Sequence, residues 1–281
     1  ALVAVGVTLV YSATGIINFA QGEFVMLGGM IMVTLYGERH WPLVLAVPVT
    51  IGITAAVAAA LMKVSYRPER NVSLITVLII TIGASLLVSG SALKVWDGDV
   101  HRFPPFSGDA PVRLAGATVA PQALWVMATT AVVGVALALF LRFTIYGKAM
   151  RACAIDRGAA AIVGIRVKGM VLLSFVMSGA LGCVAGIMIT PLTMVDYSSG
   201  MLLAIKGFAA AMLGGMGNVG GAVLGALVFS FLEAFSVTFV SSSLKELVTF
   251  VVIILILLFM PRGLMGPRRV EGRDEEDVLG H

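Results

Sequence analysis

Apolar stretches long enough to cross a lipid bilayer recur along this chain, and they constrain its fold more than any other feature. A spanning helix needs about 17–25 apolar residues, and Trp41–Met62, Ser73–Leu93, Gln122–Leu141, Val167–Pro191 and Gly220–Val240 all meet that length. Shorter runs at Ala1–Tyr11, Phe24–Tyr36, Met201–Leu213 and Leu247–Met260 complete the series. Within lipid every backbone N–H and C=O must find a partner inside the protein, which makes such runs helices. Only 12% of the residues are charged and 59% are apolar, far from the balance of a soluble domain. The expected fold is all-α: a polytopic integral membrane protein of roughly eight to nine transmembrane segments, some short or broken. Ala1–Tyr11 is too short to span and shows no signal-peptide architecture, so the first helix is expected to lack its beginning.

Basic residues divide unevenly between alternate loops. Lys63, Arg67 and Arg70 follow the third run, Arg142 to Lys168 surround the fifth and sixth, and Arg262 to Arg273 follow the last. Together they make thirteen, against five in Arg39, Lys94, Arg102, Arg113 and Lys245. The positive-inside rule makes the richer side cytoplasmic. The loop Lys94–Pro121, with four prolines, is then outside. The division expected is a transmembrane domain over 1–265, interrupted by a basic loop at about 142–168, then a cytoplasmic tail over 266–281.

Two runs, Phe24–Tyr36 and Met201–Leu213, have about thirteen residues each, short of the ~17 a continuous span requires. Each borders a glycine-rich polar stretch: Asn18 to Glu23 in one case, Gly214 to Gly221 in the other. Two readings stay open for each: a helix broken at membrane depth, as lines transport paths, or a short helix ending in a tight cytoplasmic turn.

Ionisable groups inside a membrane are expensive and therefore functional suspects. Glu23, Lys206 and Glu233 qualify, and Asn18 and Gln21 are neutral polar neighbours of the first break. These make Asn18, Gln21, Glu23 and Lys206 the candidate translocation-path residues. The bland alternatives are that Lys206 pairs with a glutamate or snorkels, that Glu23 caps its own helix, and that Asn18 and Gln21 satisfy broken backbone. No nucleophile–base pair or metal-ligand cluster is evident, and the two cysteines form no disulfide framework. The stretch Leu213–Gly221 lacks the Gly-Lys-Ser/Thr ending of a phosphate loop. No catalytic residues, metal, bound cofactor or nucleic-acid partner is expected.

One segment differs from the rest. Tyr146–Ile165 is basic, rich in Ala and Gly, and flanked by long apolar runs. It reads as a helix from about Lys148 to Ile162 with Ala149, Ala152 and Cys153 on one face, small enough for close approach by another protein. Arg151 and Asp156 would flank that face and offer charge-assisted bonds.

Three blocks carry a resemblance: Gly15-Ile16-Ile17-Asn18-Phe19-Ala20-Gln21-Gly22-Glu23; Met150-Arg151-Ala152-Cys153-Ala154 through Asp156 to Gly164-Ile165; and Lys206 to Gly217. Pro261-Arg262-Gly263-Leu264 adds to them. From Ala1 to about Gly266 the chain resembles the permease subunits of the bacterial high-affinity branched-chain amino acid ABC importers. The resemblance implies import of leucine, isoleucine and valine across the inner membrane, and no enzymatic activity. It also implies a second permease subunit, two cytoplasmic ATPase subunits that consume the ATP, and a periplasmic solute-binding protein. Gly147, Arg151, Ala152, Asp156, Arg157 and Gly164 become ATPase-coupling residues by this likeness. Two positions depart from the pattern: Ile155 replaces an acidic residue and Gln21 a histidine. Relatives importing urea or short amides share these blocks, and an ion-coupled secondary transporter is the rival from another class.

Overall fold

In a computed structural model, residues 1–65, 74–108, 110–114, 117–239, 245–261 and 263–266 are described. The basic positions Arg67, Arg70, Arg262, Arg268, Arg269 and Arg273, and the tail beyond Gly266, lie outside that set. Helices dominate: α1 (Leu2–Thr14), α2 (Gln21–Met32), α3 (Leu43–Ser65), α4 (Leu74–Trp96), α5 (Pro121–Phe143), α6 (Ile145–Ile155), α7 (Arg157–Ile162), α8 (Val167–Thr193), α9 (Ser199–Gly214), α10 (Val219–Phe239) and α11 (Lys245–Phe259). α2 continues as π-helical turns over Val33–Glu38. An antiparallel ribbon, β1 (Val112–Leu114) with β2 (Ala117–Val119), pairs Arg113 with Thr118. Five of these helices are long and apolar enough to cross a membrane. The apolar runs therefore became helices nearly residue for residue, as expected of an all-α membrane protein.

Burial sorts the helices. α8 is the pillar, half buried along its apolar window, whereas only 6% of the α5 window is buried. A spanning helix so bare of protein neighbours leaves its apolar side chains on the outside of the bundle. Every residue of α2 is buried, so α2 is the centre of the bundle.

Contact between α2 and α8 depends on glycine. A Cβ on Gly28 would collide with the backbone of Cys183, and one on Gly186 with the Val25 carbonyl. Lipid tails are as apolar as leucine, so membrane helices gain by dense packing, and small residues permit it. Glycines at the α9–α10 crossing act alike: Gly225 lies against the Ala210 carbonyl and Gly214 against Gly221.

At the end of the bundle away from α6, the loop after α4 folds back over α2. His101 and Val195 exchange backbone hydrogen bonds of 2.8 and 2.9 Å. Tyr36, Phe103, Phe106 and Trp125 stack beside them through ring centroids 5.8 to 6.5 Å apart. Burial by itself would raise the Asp196 carboxyl, but hydrogen bonds from Ser199 and Ser198 hold it below its ordinary value. At the opposite end, residues 263–265 close the α9 terminus: Leu264 and Met265 amides donate to the carbonyls of Leu213 and Gly214 at 2.8 and 2.9 Å. These are orphan carbonyls that a helix end must satisfy.

Candidate functional site

The basic segment forms two short helices, not one. Thr144 leaves α5 in an extended conformation and caps α6, its Oγ1 accepting from the Gly147 amide at 3.0 Å. Gly147 sits in the corner, where a Cβ would overlap the backbone of Phe140 and Leu141. The single helix expected over Lys148–Ile162 is interrupted at Asp156, which is extended and caps α7 by accepting from the Ala159 amide at 3.0 Å. A short acceptor side chain competes with the helix for exactly these amides, hence the break. Gly164, at φ +87°, then ends α7, with its amide donating to Ala161 and that of Ile165 to Ala160. This is a left-handed helix stop that favours glycine.

The expected small-residue face is only partly free: Cys153 is buried, and Ala149 and Ala152 are half-buried. Gly147, Met150 and Cys153 are buried against the bundle, because Met150 joins the main apolar core. What remains outside is apolar and large: Ile155 is 85% exposed and Ile162 88%. Ile145, Tyr146 and Val163 are exposed with them, as are Arg151 and Asp156, while Ala152 and Arg157 are half-buried. The isoleucine that departs from the family's acidic residue is thus a prominent surface feature. Its signal in the sequence was apolarity at a position the helical face left unburied.

Burial pushes the Cys153 thiol above its ordinary value, against the pull of the Arg157 charge. Because the thiolate is the reactive form, maleimide should modify Cys153 more slowly than a free thiol at pH 7, with the rate still climbing at pH values where an ordinary cysteine has levelled off. Time-resolved mass spectrometry of the folded protein checks this.

A cleft of about 780 Å³ opens beside α6, between Tyr11 and Ser12 of α1, Arg151 and Arg157, and Met216 and Asn218 of the α9–α10 turn. It joins the two-helix segment to the transmembrane bundle.

The two short runs resolve differently. Between α1 and α2, residues 15–20 are non-helical. Gly15 ends α1 beside Arg157, yet the Gln21 side chain already bonds the carbonyl of Ser178, mid-way along α8, at 3.1 Å. Gln21 also lies against Gly6, nine residues back along α1 and so about 13 Å from its end. The chain descends on α1 and returns through the non-helical residues 15–20, and α2 starts level with the middle of α8: this is the broken-helix reading. At Gly214–Gly221 the chain instead turns tightly between two helices. Gly215, at φ +104°, opens a tight turn into α10.

Each candidate path residue has a defined place. Asn18 Oδ1 accepts from the Ala20 amide at 3.1 Å, satisfying broken backbone. Ser178 Oγ donates toward Gln21 and the Gly6 carbonyl. Glu23 lies in the first turn of α2, where a carboxylate meets the positive end of the helix dipole, and its hydrogen bond is a tertiary one. Its Oε1 accepts from Ser85 Oγ of α4 at 2.7 Å, and Oε2 is buried without a hydrogen-bond partner, against Gly200 at the start of α9. Asn18, Gln21 and Glu23 therefore cluster where α2 and α9 begin.

Lys206 lies apart, in an ion pair with Glu233 of α10 at 2.7 Å, the two side chains 19% and 25% exposed. Removing Lys206 takes the ion-pair partner from the Glu233 carboxylate, and removing Glu233 takes the carboxylate from Lys206. Lys206→Met and Glu233→Met should each destabilise by up to about 3 kcal/mol, while the double variant Lys206→Met/Glu233→Met recovers most of the loss. Thermal unfolding in detergent across the four proteins reads the coupling.

A bundle of spanning helices with one helix broken at depth and a short amphipathic element beneath it defines a multi-pass membrane permease. Residues 1–257 match the family described as branched-chain amino acid transport system / permease component, and the chain belongs to that family. It is 34% identical to the high-affinity branched-chain amino acid transport system permease protein LivH of Escherichia coli (strain K12), over 96% of this chain and 92% of that one. Identity to BraD of Pseudomonas aeruginosa, which carries the same description, is 32% over the same shares. Ribose import permease protein RbsC of Escherichia coli (strain K12) is similar at 25% identity over 92% of this chain and 81% of its own. No solved structure matches the chain.

Proposed function

We propose that this chain is a permease subunit of a bacterial inner-membrane ABC importer for branched-chain amino acids. Leucine, isoleucine and valine are the solutes, two cytoplasmic ATPase subunits supply the energy, and a periplasmic binding protein delivers the cargo. A second permease completes the path. The α6–α7 side is cytoplasmic, as is the C-terminus. The observation that carries the coupling role is the pair of short helices beneath the bundle with Ile155 and Ile162 bare to solvent. Apolar side chains so exposed on a water-facing element mark an interaction surface.

Roles divide within the segment. Arg151, Ala152, Ile155 and Ile162 meet the ATPase. Gly147, Asp156 and Gly164 give the segment its bends, and Arg157 ties it to the end of α1 near Gly15. Movement of the ATPase pair pushes α6, whose buried face transmits the push to α1 and α5. Coupling requires contacts that differ between two states, and the cleft beside α6 gives the segment room to shift.

Above it, Gln21 and Glu23 stand where the bundle centre holds polar groups, and they take the polar end of a zwitterionic solute when the bundle opens. The chain itself binds no cofactor. Proteoliposomes holding the complete importer, with ATP inside and labelled leucine plus binding protein outside, test this. Uptake should require ATP. Urea uptake in place of leucine would change the solute, and uptake driven by an ion gradient without ATPases would overturn the reading.

A further inference from the structure

We infer that the exposed face of α9, Met201, Leu202, Ile205, Phe208 and Met212, is the seam on which the second permease subunit sits. This rests on the importer reading above, which supplies the partner; the surface itself is argued from what borders it.

At 3.6 residues per turn those five residues share one side of α9. Met201 and Leu202 are exposed and the other three half-buried. The opposite side is filled: Gly207 packs on Val3 of α1, Gly200 on Glu23 of α2, and Ala210 and Gly214 on Gly225 of α10. By composition alone the free side would suit lipid. Its two edges do not.

Along one edge runs the break. Phe19 stacks on Phe208 with ring centroids 5.9 Å apart, and Ile16, Ile17 and Phe19 are only half-buried. Irregular backbone within the hydrocarbon layer survives where protein or a wet cavity covers it, not against lipid. Along the other edge lies the Lys206–Glu233 pair. Lys206 adjoins Gly207, which touches Val3 near the far end of α1, so the pair sits at mid-depth. A partly exposed ion pair there is costly against acyl chains.

The exposed apolar faces of α4 and α5 carry no such burden among the described residues. α5 exposes Met127, Val132, Val135 and Leu139, and α4 exposes Ile75, Ile79 and Leu86, all apolar. Lipid can cover these at no cost. The α9 face is where a protein must stand, and a polytopic subunit reaching the same depth is the occupant that covers both edges at once.

The test uses the intact complex in its membrane. The photo-crosslinking residue p-benzoylphenylalanine replaces Leu202, Ile205 or Met212, with Leu139 and Ile79 as controls. Each variant is first checked for ATP-dependent uptake, then irradiated and its adducts identified by mass. The α9 positions should yield at least tenfold more adduct with the second permease than the controls, which should capture lipid. Lipid adducts from α9 together with permease adducts from Leu139 or Ile79 would overturn the inference and leave the importer reading intact. Ready reaction of Ile205→Cys with a membrane-impermeant thiol reagent in the assembled complex would also overturn it, showing a hydrated wall instead of a seam. If no second permease co-purifies with the ATPases, the importer reading fails and takes the seam with it.

Discussion

Ile155→Asp/Ile162→Asp should abolish ATP-driven uptake while leaving the permease folded. Both side chains are almost wholly exposed, so aspartate disturbs no core, and neither residue caps a helix. Burying an isoleucine in an interface contributes about 1.5–3 kcal/mol, and each ~1.4 kcal/mol is tenfold in affinity. The ATPase should therefore bind about ten- to a hundredfold more weakly for each residue changed. Co-purification of the ATPase pair should be lost, with unfolding temperature in detergent unchanged. Arg151→Glu, on the same side, should weaken the complex less, because an exposed charge contact contributes at most about 1 kcal/mol. Retained ATPase binding by the double aspartate variant would place the contact elsewhere.

Gly186→Ala should be among the most damaging single methyl groups that this chain can receive. The new Cβ would meet the Val25 carbonyl and the Gly29 amide. Both are helix backbone, so no side chain can swing aside. Overpacking of a tight core costs about 1–3 kcal/mol, occasionally more, and here α2 and α8 must separate along their contact. Gly22→Ala, against the Gly200 carbonyl, should behave alike. Gly52→Ala and Gly134→Ala are the controls, since a Cβ at either meets nothing within 4 Å and alanine favours a helix over glycine by about 1 kcal/mol. Thermal unfolding in detergent should drop by several degrees for the first pair and hold or rise for the second. Equal effects at all four positions would mean that α2 does not make these close contacts with α8 and α9.

What the residues determined alone was the membrane class, most of the helix positions and the place of the basic segment between α5 and α8. Hydrocarbon thickness is a fixed length and backbone polarity a fixed demand, so runs such as Val167–Pro191 could be nothing but spans. Turn chemistry was partly legible too: Gly164 ends α7 as a glycine after a helix should. Tertiary structure decided which side of each helix is used. Cys153 and Met150 face inward and Ile155 outward because α6 folds back under α5 at Gly147, a geometry with no periodic signature in an Ala-rich segment. Glu23 does stand in the first turn of its own helix, but its hydrogen-bond partner Ser85 is 62 residues away in sequence, and only the meeting of α2 with α4 supplies it. The two glycine-rich breaks, alike on paper, parted for the same reason. Gln21 found Ser178 and Gly6 at depth to receive its polar groups, whereas Gly215 turned the chain directly into α10. Local composition marks where a helix must stop; long-range partners decide how deep the next one starts.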